Sequence, residues 1–329
     1  MKIVFFDVQK WERDSFQGKF PDAELIIDPL TLENVANFSD AEIISTFVYS
    51  SLNKEVLTKL PNLKHIATRS SGFDHIDSEY AKGSGISISN IPEYGSNTVA
   101  EHTFALILAL TRKVYQAINQ MKDLNFDHSK LTGVDIHGKT LGIIGLGKIG
   151  INVLRIANSF GMKVLVYTKT EDKALKDKFD FVYTDLNKLL RDSDIVTIHV
   201  PLNDETHHLI NKDNIQSFKR GSYLINTARG AVIETEAILL GLEKGILEGV
   251  GLDVLENEKD LGEEISVLIS TAHAKDLKNI MLDHVLINHP KVLVTPHNAF
   301  NSKEALSRII ESTIENIEGF IKGQPTNLV

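Results

Sequence analysis

The chain has 329 residues, 42% of them hydrophobic and 24% charged, which is enough for two domains with separate cores and ordinary for a globular protein. A formal charge of -9 excludes a broad nucleic-acid surface, since phosphate needs clustered Lys and Arg, but allows an anionic substrate held by one Arg or one helix N-terminus. With no cysteine there are no disulfides, thiolate metal sites or Cys nucleophile. The first apolar run, residues 2–6, is too short for a signal peptide and stops at Asp7. The longest later one, 104–110, ends at Thr111-Arg112-Lys113. The expectation is a cytoplasmic protein that crosses no membrane.

Short apolar runs alternate with amphipathic stretches, the pattern of βα units and parallel sheets. Strands are predicted at 2–6, 25–27, 42–45, 64–67 and 86–90. One long helix should then run from Thr98 to about Phe126, capped by Asn97 or Ser96, whose side chains can accept from the open N–H groups of its first turn. A second βα series begins with a strand at 140–144 and a helix at 149–160, which Gly161 ends. It continues with strands at 163–167, 194–200, 222–225, 249–252 and 292–296. In 303–322, Leu306, Ile309, Ile310, Thr313, Ile314, Ile317, Phe320 and Ile321 recur at helical spacing, and Gly323 and Pro325 end the helix. This last helix is expected to fold back onto the first domain, which is then split in sequence.

The strongest single motif is Gly145-Leu146-Gly147-Lys148-Ile149-Gly150, placed between a strand and a helix. G-x-G-x-x-G alone is weak evidence, but in this context each glycine has a physical role. Gly145 permits the tight turn, Gly147 lets the backbone approach a pyrophosphate, and Gly150 allows close helix–strand packing. The helix start, with Lys148 and Ile149, offers N–H groups and a partial positive charge to phosphates. Three further strand ends lead into Val200-Pro201, into Asn226-Thr227-Ala228-Arg229-Gly230 and into Asp253. In open α/β sheets such ends gather around one ligand crevice.

Hydride transfer to a keto acid needs a cation to orient the carboxylate and polarise the carbonyl, an acid to protonate the developing alkoxide, and a group to stabilise that acid when charged. Arg229 suits the first through its planar fork. His297, after Val294-Thr295-Pro296, suits the second because histidine titrates near neutrality. Glu258, five residues beyond Asp253, suits the third. Singly, each residue type in such a place is more often structural.

Together with Arg69-Ser70-Ser71-Gly72-Phe73-Asp74-His75-Ile76-Asp77, Ile91-Pro92-Glu93-Tyr94, Ala100-Glu101-His102 and Gly251-Leu252-Asp253-Val254, these motifs resemble the D-isomer-specific 2-hydroxyacid dehydrogenase family, nearest its D-lactate dehydrogenase branch. The resemblance covers nearly the whole chain. It implies two doubly wound parallel-sheet α/β domains, a Rossmann cofactor domain (98–297) inserted in a flavodoxin-like substrate domain (1–97 plus 298–329), with the active site in the cleft between them. It implies Arg229, Glu258 and His297 as the catalytic set. The backbone at Ser71 and Gly72 would bind the substrate carboxylate, and Phe300 would close the far side. Tyr49 and Tyr94 would either line the substrate pocket or pack between domains. Val200, Pro201, Thr206, Thr227, Ala228, Arg229, Asp253 and His297 would meet the cofactor. A homodimer follows by family analogy alone.

Two places depart from the family pattern. The second Rossmann strand of NAD-using members usually ends in Asp; here it ends in Thr168, followed by Lys169, a cation within reach of a 2′-phosphate. The expected cofactor is therefore NAD, with NADP also accepted. The segment 258–291 is long, and its histidines, His273, His284 and His289, lack ligand spacing, so no metal is expected. The rivals are a glyoxylate or hydroxypyruvate reductase and, from another class, an NAD-sensing corepressor-like protein.

Overall fold

The computed structural model describes residues 1–256, Glu258 and residues 274–329. The chain divides into two compact units, Met1–Tyr94 with Asn301–Val329, and Gly95–Phe300. The second unit is thus inserted between two pieces of the first.

The first unit holds, in chain order, β1 (Ile3–Phe5), α1 (Lys10–Lys19), β2 (Glu24–Leu25), β3 (Ile43–Thr46), α2 (Lys54–Leu57), β4 (His65–Thr68), α3 (Ser78–Gly83) and β5 (Ser87–Ser89), and a C-terminal helix, Lys303–Ile321. Its sheet is all parallel in the order β2-β1-β3-β4-β5, the flavodoxin-like arrangement. Every residue of β1, β3 and β4 is buried, as expected for strands covered on both faces, and this is why they read as apolar runs rather than alternating ones. Val4, Ile44, Ile66 and Ile88 pack on one side with Leu52, Val56 and Leu57. Ile3, Phe5, Ile43 and Ala67 pack on the other against Phe16 of α1 and Ile317 of the C-terminal helix. Ser302 caps that helix by accepting from the N–H of Ala305, and Phe320 stacks on His65 at 4.4 Å.

The second unit begins with α4 (Ser96–Thr111) and α5 (Val114–Lys122). Then follow β6 (Thr140–Ile144), α6 (Lys148–Ser159), β7 (Lys163–Tyr167), α7 (Lys173–Lys176), β8 (Val182–Tyr183), α8 (Leu186–Asp192), β9 (Ile195–Ile198), β10 (Ser222–Asn226), α9 (Thr235–Glu243), β11 (Leu247–Leu252), α10 (Ala274–Ile287) and β12 (Val292–Val294). The seven-stranded parallel sheet runs β12-β11-β10-β9-β6-β7-β8, which reverses direction between β6 and β9 as a Rossmann sheet does. Leu141, Ile143, Val164 and Ile195 pack under α4 and α6, while Val196, Ile198, Leu224 and Val250 pack under α8 and α9.

The structure corrects the single long helix. The helix stops at Thr111, Lys113 takes a left-handed φ of 51°, and α5 restarts at Val114. The returning chain supplies the cause: Val134 N–H donates to the carbonyl of Thr111, and a side chain at Gly133 would overlap that same oxygen. The cap is Gly95 rather than Asn97 or Ser96. Asn97 lies inside the first turn, where it accepts from Arg155 at 2.8 Å and donates to Glu101 at 2.5 Å. No described helix is long and apolar enough to cross a membrane.

Candidate active site

The glycine turn sits at the point where the strand order of the second sheet reverses. Gly145 has φ +96°, and a Cβ there would come within 2.5 Å of the His199 carbonyl oxygen at the end of the neighbouring β9. A Cβ on Gly150 would lie 2.2 Å from the Gly145 oxygen, so the start of α6 can approach β6 only with glycine there. Gly147 is the opposite case: it is exposed, and beyond its own chain neighbours nothing lies within 4 Å of its would-be Cβ. No side chain caps α6. An uncapped helix start beside open space at Gly147 fits a pyrophosphate, which would take the N–H groups a capping side chain would otherwise satisfy. Val200 stands against Gly145, and Pro201 is exposed beyond it. Thr206 turns its hydroxyl onto the Pro201 carbonyl at 2.6 Å, so it shapes this turn. Half-buried at the same strand end, with its Nδ1 shielded from solvent, His199 is pushed down to about 3 by desolvation and is neutral near pH 7.

The ends of β10, β11 and β12 are neighbours, because Asn226 pairs with Leu252 and Leu252 with Val294. That adjacency places the three proposed catalytic residues on neighbouring strand-end loops. Asn226, 1% exposed, accepts from the Ala228 N–H and donates to the Arg229 carbonyl, which shapes the turn that presents Arg229. The Arg229 guanidinium donates to the Ala228 carbonyl and is half-buried. Thr227 is 7% exposed and pairs its hydroxyl with that of Thr103 on α4 at 3.0 Å. His297 approaches Glu258 with Nδ1 to Oε1 at 2.9 Å. Its Nε2 has no partner among the described residues.

His297 takes φ 49°, a left-handed conformation uncommon for a residue with a Cβ, so its surroundings must hold it there. Asp253 does so. It is 1% exposed, one carboxylate oxygen accepts from Thr295 Oγ1 and the Asn298 N–H, the other accepts from the Ala299 N–H, and its carbonyl accepts from the His297 N–H. The carboxylate is therefore engaged within the loop and has little surface for the cofactor contact expected of it. His102 of α4 joins the same cluster, with Nε2 3.0 Å from Thr295 Oγ1. Composition and spacing gave no sign of this role for His102, since its partners lie far along the chain.

Lys169 is not the free cation that its position suggested. It is exposed and paired with both carboxylate oxygens of Glu205, at 2.8 and 3.0 Å. Thr168 is half-buried just beyond β7. In the first unit, the N–H groups of Ser71 and Gly72 meet no acceptor among the described residues, whereas the Ser71 hydroxyl donates to the Ile91 carbonyl at 2.7 Å. Tyr49 is 58% exposed beyond β3, its ring 5.8 Å from that of Phe47. The Tyr94 carbonyl accepts from Arg308 at 2.7 Å. Phe300 is half-buried and its Cβ lies near Gly95. His284 is exposed on α10 and His289 accepts from the Lys291 N–H, while His273 lies outside the described residues.

The sequence model of the D-isomer-specific 2-hydroxyacid dehydrogenase family, NAD-binding domain, matches residues 104–299. The chain belongs to that family. Membership makes it a D-2-hydroxyacid dehydrogenase that uses a nicotinamide cofactor, and the glycine turn lies within the matched span. The chain is 33% identical to the D-lactate dehydrogenase of Escherichia coli, with 100% of each covered. It is 35% identical to an aromatic 2-oxoacid reductase of Clostridium sporogenes, covering 99% of this chain and 98% of the reductase. A D-lactate dehydrogenase from Aquifex aeolicus, solved with NAD and lactic acid, superposes with a TM-score of 0.88 at 39% identity, covering 98% of this chain and 96% of the other.

Proposed function

We propose that this dehydrogenase interconverts small 2-keto acids and D-2-hydroxy acids of the pyruvate–lactate type. The observation that carries the reading is the His297–Glu258 pair, 2.9 Å apart, on strand ends next to the one that presents Arg229. A bound nicotinamide supplies the hydride. Arg229 holds the substrate carboxylate and polarises the carbonyl, with a two-pronged geometry that Lys could not reproduce. His297 donates the proton from Nε2 to the alkoxide in reduction and accepts it in oxidation. Glu258, hydrogen-bonded at Nδ1, orients the ring and stabilises its charged form. The unpartnered N–H groups of Ser71 and Gly72 support a carboxylate-binding role for that turn. Gly145, Gly147, Lys148, Ile149 and Gly150 would hold the pyrophosphate, with Val200, Pro201, Thr227 and Ala228 beside the rest of the cofactor.

Relaxed cofactor choice is part of the proposal. Thr168 neither accepts strongly from ribose hydroxyls nor repels a 2′-phosphate. An exposed pair such as Lys169–Glu205 is screened by solvent and weak, so Lys169 is readily recruited by that phosphate while Glu205 opposes it. One panel tests both halves: pyruvate, phenylpyruvate, oxaloacetate, glyoxylate and hydroxypyruvate, each with NADH and NADPH, in the parent and in Thr168→Asp. Pyruvate should give the highest kcat/KM, NADPH should be used within about tenfold of NADH, and Thr168→Asp should move the preference toward NADH. Phenylpyruvate ahead of pyruvate would place the enzyme with the aromatic reductases. Rejection of NADPH by about a thousandfold would put discrimination elsewhere.

The partner proposed for α5 is a second copy of the chain. Val114, Tyr115, Ile118 and Met121 are exposed on that helix, followed by Leu124 and Phe126 at 78% and 76% exposure, an apolar surface a lone soluble protein rarely leaves open. Sedimentation should give the mass of a dimer, and exchanging Tyr115 and Ile118 for Lys should reduce it to that of one chain. A parent that sediments as a single chain removes the proposal.

A further inference from the structure

Arg229 and Glu258 reach the site on separate loops, so something must fix their spacing. The loops meet at Gly230. A Cβ on Gly230, the residue after Arg229, would lie 2.0 Å from the Leu255 carbonyl oxygen and 2.5 Å from the Glu256 nitrogen. The two backbones are therefore as close as glycine permits, one residue from Arg229 and two from Glu258.

Glu256 secures that contact with its side chain. One carboxylate oxygen accepts from both the N–H and the hydroxyl of Thr235, at 2.9 and 2.8 Å, where the Arg229 loop enters α9. The other lies 2.7 Å from His208 Nε2, on the loop that follows β9. His208 is itself held at φ 50°, and its N–H donates to the Ala231 carbonyl. Leu209 and Ile210 continue the attachment, since Ile210 N–H donates to the Val232 carbonyl and Ile210 bridges to Ile233. Three strand-end loops thus converge on one carboxylate. Burial would raise the Glu256 carboxyl, but the hydrogen bonds from Thr235 and His208 outweigh it and hold the group below its ordinary value.

We propose that Glu256, with His208 and Thr235, is a positioning clamp that sets the distance from Arg229 to the Glu258–His297 pair. The clamp touches neither substrate nor cofactor in this scheme, and it rests on the catalytic roles proposed above. Its members are positioning residues: they act through Arg229 and Glu258. The aligned geometry required for hydride and proton transfer makes small displacements costly, about 100-fold for a shift near 1 Å.

The test compares Glu256→Gln, His208→Ala and His208→Gln with the parent and with His297→Ala in steady-state reduction of the best keto acid, alongside NADH binding by fluorescence. Glu256→Gln and His208→Ala should lower kcat and raise KM for the keto acid, a combined loss of about 10- to 100-fold in kcat/KM, with NADH affinity unchanged. His208→Gln keeps a donor toward Glu256 and should recover most of that loss. If Glu256→Gln does not fold, the two His208 variants carry the comparison, because His208 is 32% exposed and removes little core. Retention of kcat/KM within about twofold in His208→Ala and Glu256→Gln, while His297→Ala is disabled, overturns the clamp and leaves the catalytic assignment standing. A parent-like His297→Ala overturns the catalytic assignment and the clamp with it. A His208→Gln enzyme no better than His208→Ala overturns the hydrogen-bond account.

Discussion

Replacing His297 with Ala should lower kcat by about 100-fold or more, with cofactor affinity nearly unchanged. The expectation comes from where the ring is anchored. Glu258 engages Nδ1 at 2.9 Å, so the proton for the substrate must travel through Nε2. The ring is 31% exposed, which is enough for a substrate to reach it, and the loop that carries it is fastened by the buried carboxylate of Asp253. Removing the imidazole leaves the loop's backbone bonds intact, so the change should fall on chemistry rather than on folding or cofactor binding. Glu258→Gln should be milder, since the amide oxygen can still accept from Nδ1 but no longer stabilises the charged ring. A His297→Ala enzyme that reduces keto acids at close to the parent rate would sink the assignment, and Glu258 would lose its role along with it.

The parts of this site that were legible in the sequence are those carried by local pattern. Strands buried on both faces appear as uninterrupted apolar runs, and ligand-facing residues follow directly after them, so Arg229 and His297 stood out at the ends of β10 and β12. The glycine turn was legible because each glycine answers a separate steric demand: a positive φ at Gly145, an open approach at Gly147, a close contact at Gly150. What was not legible depends on partners distant in sequence. The break at Lys113 is set by a chain that returns twenty residues later, and nothing between Thr98 and Phe126 announces it. Lys169 looked like a cation awaiting a phosphate because Glu205 is 36 residues away. Asp253 belonged to a recognisable motif, yet its engagement with the His297 loop required the register of β11 against β12. Short edge elements such as β8 carried too few residues for any period to emerge.

A second large effect is expected in the first unit, at Arg69. Its guanidinium is 0% exposed at the end of β4 and touches Glu12, 1% exposed, with Nε to Oε1 at 2.8 Å. The contact is an ion pair without hydrogen-bond alignment. The other nitrogens donate to the Phe6 and Asp7 carbonyls and to Ser45 Oγ. Asp7 in turn accepts from the Phe47 N–H and from Ser50, on either side of Tyr49, and its second oxygen has no donor among the described residues. Taking Arg69 away strands two buried carboxylates, whereas the pair itself need not be strongly stabilising. Loss of one partner in such a pair typically costs about 3–5 kcal/mol, so Arg69→Met should unfold at markedly lower urea concentration than the parent. The pH dependence has a sign. Burial pushes Glu12 up to about 7 from 4.5, against the pull of Arg69, so between those values the folded chain binds more protons than the unfolded one. Stability from this group is therefore lost as pH rises through that window, and without Arg69 both carboxyls should be pushed higher still. The deficit of Arg69→Met should then be larger at pH 8 than at pH 5, and the double variant Glu12→Gln with Arg69→Met should recover part of it. Urea midpoints for the three proteins at both pH values decide the matter. An Arg69→Met protein within about 1 kcal/mol of the parent at pH 8 would mean that the buried carboxylates are neutral or hydrated without their cation.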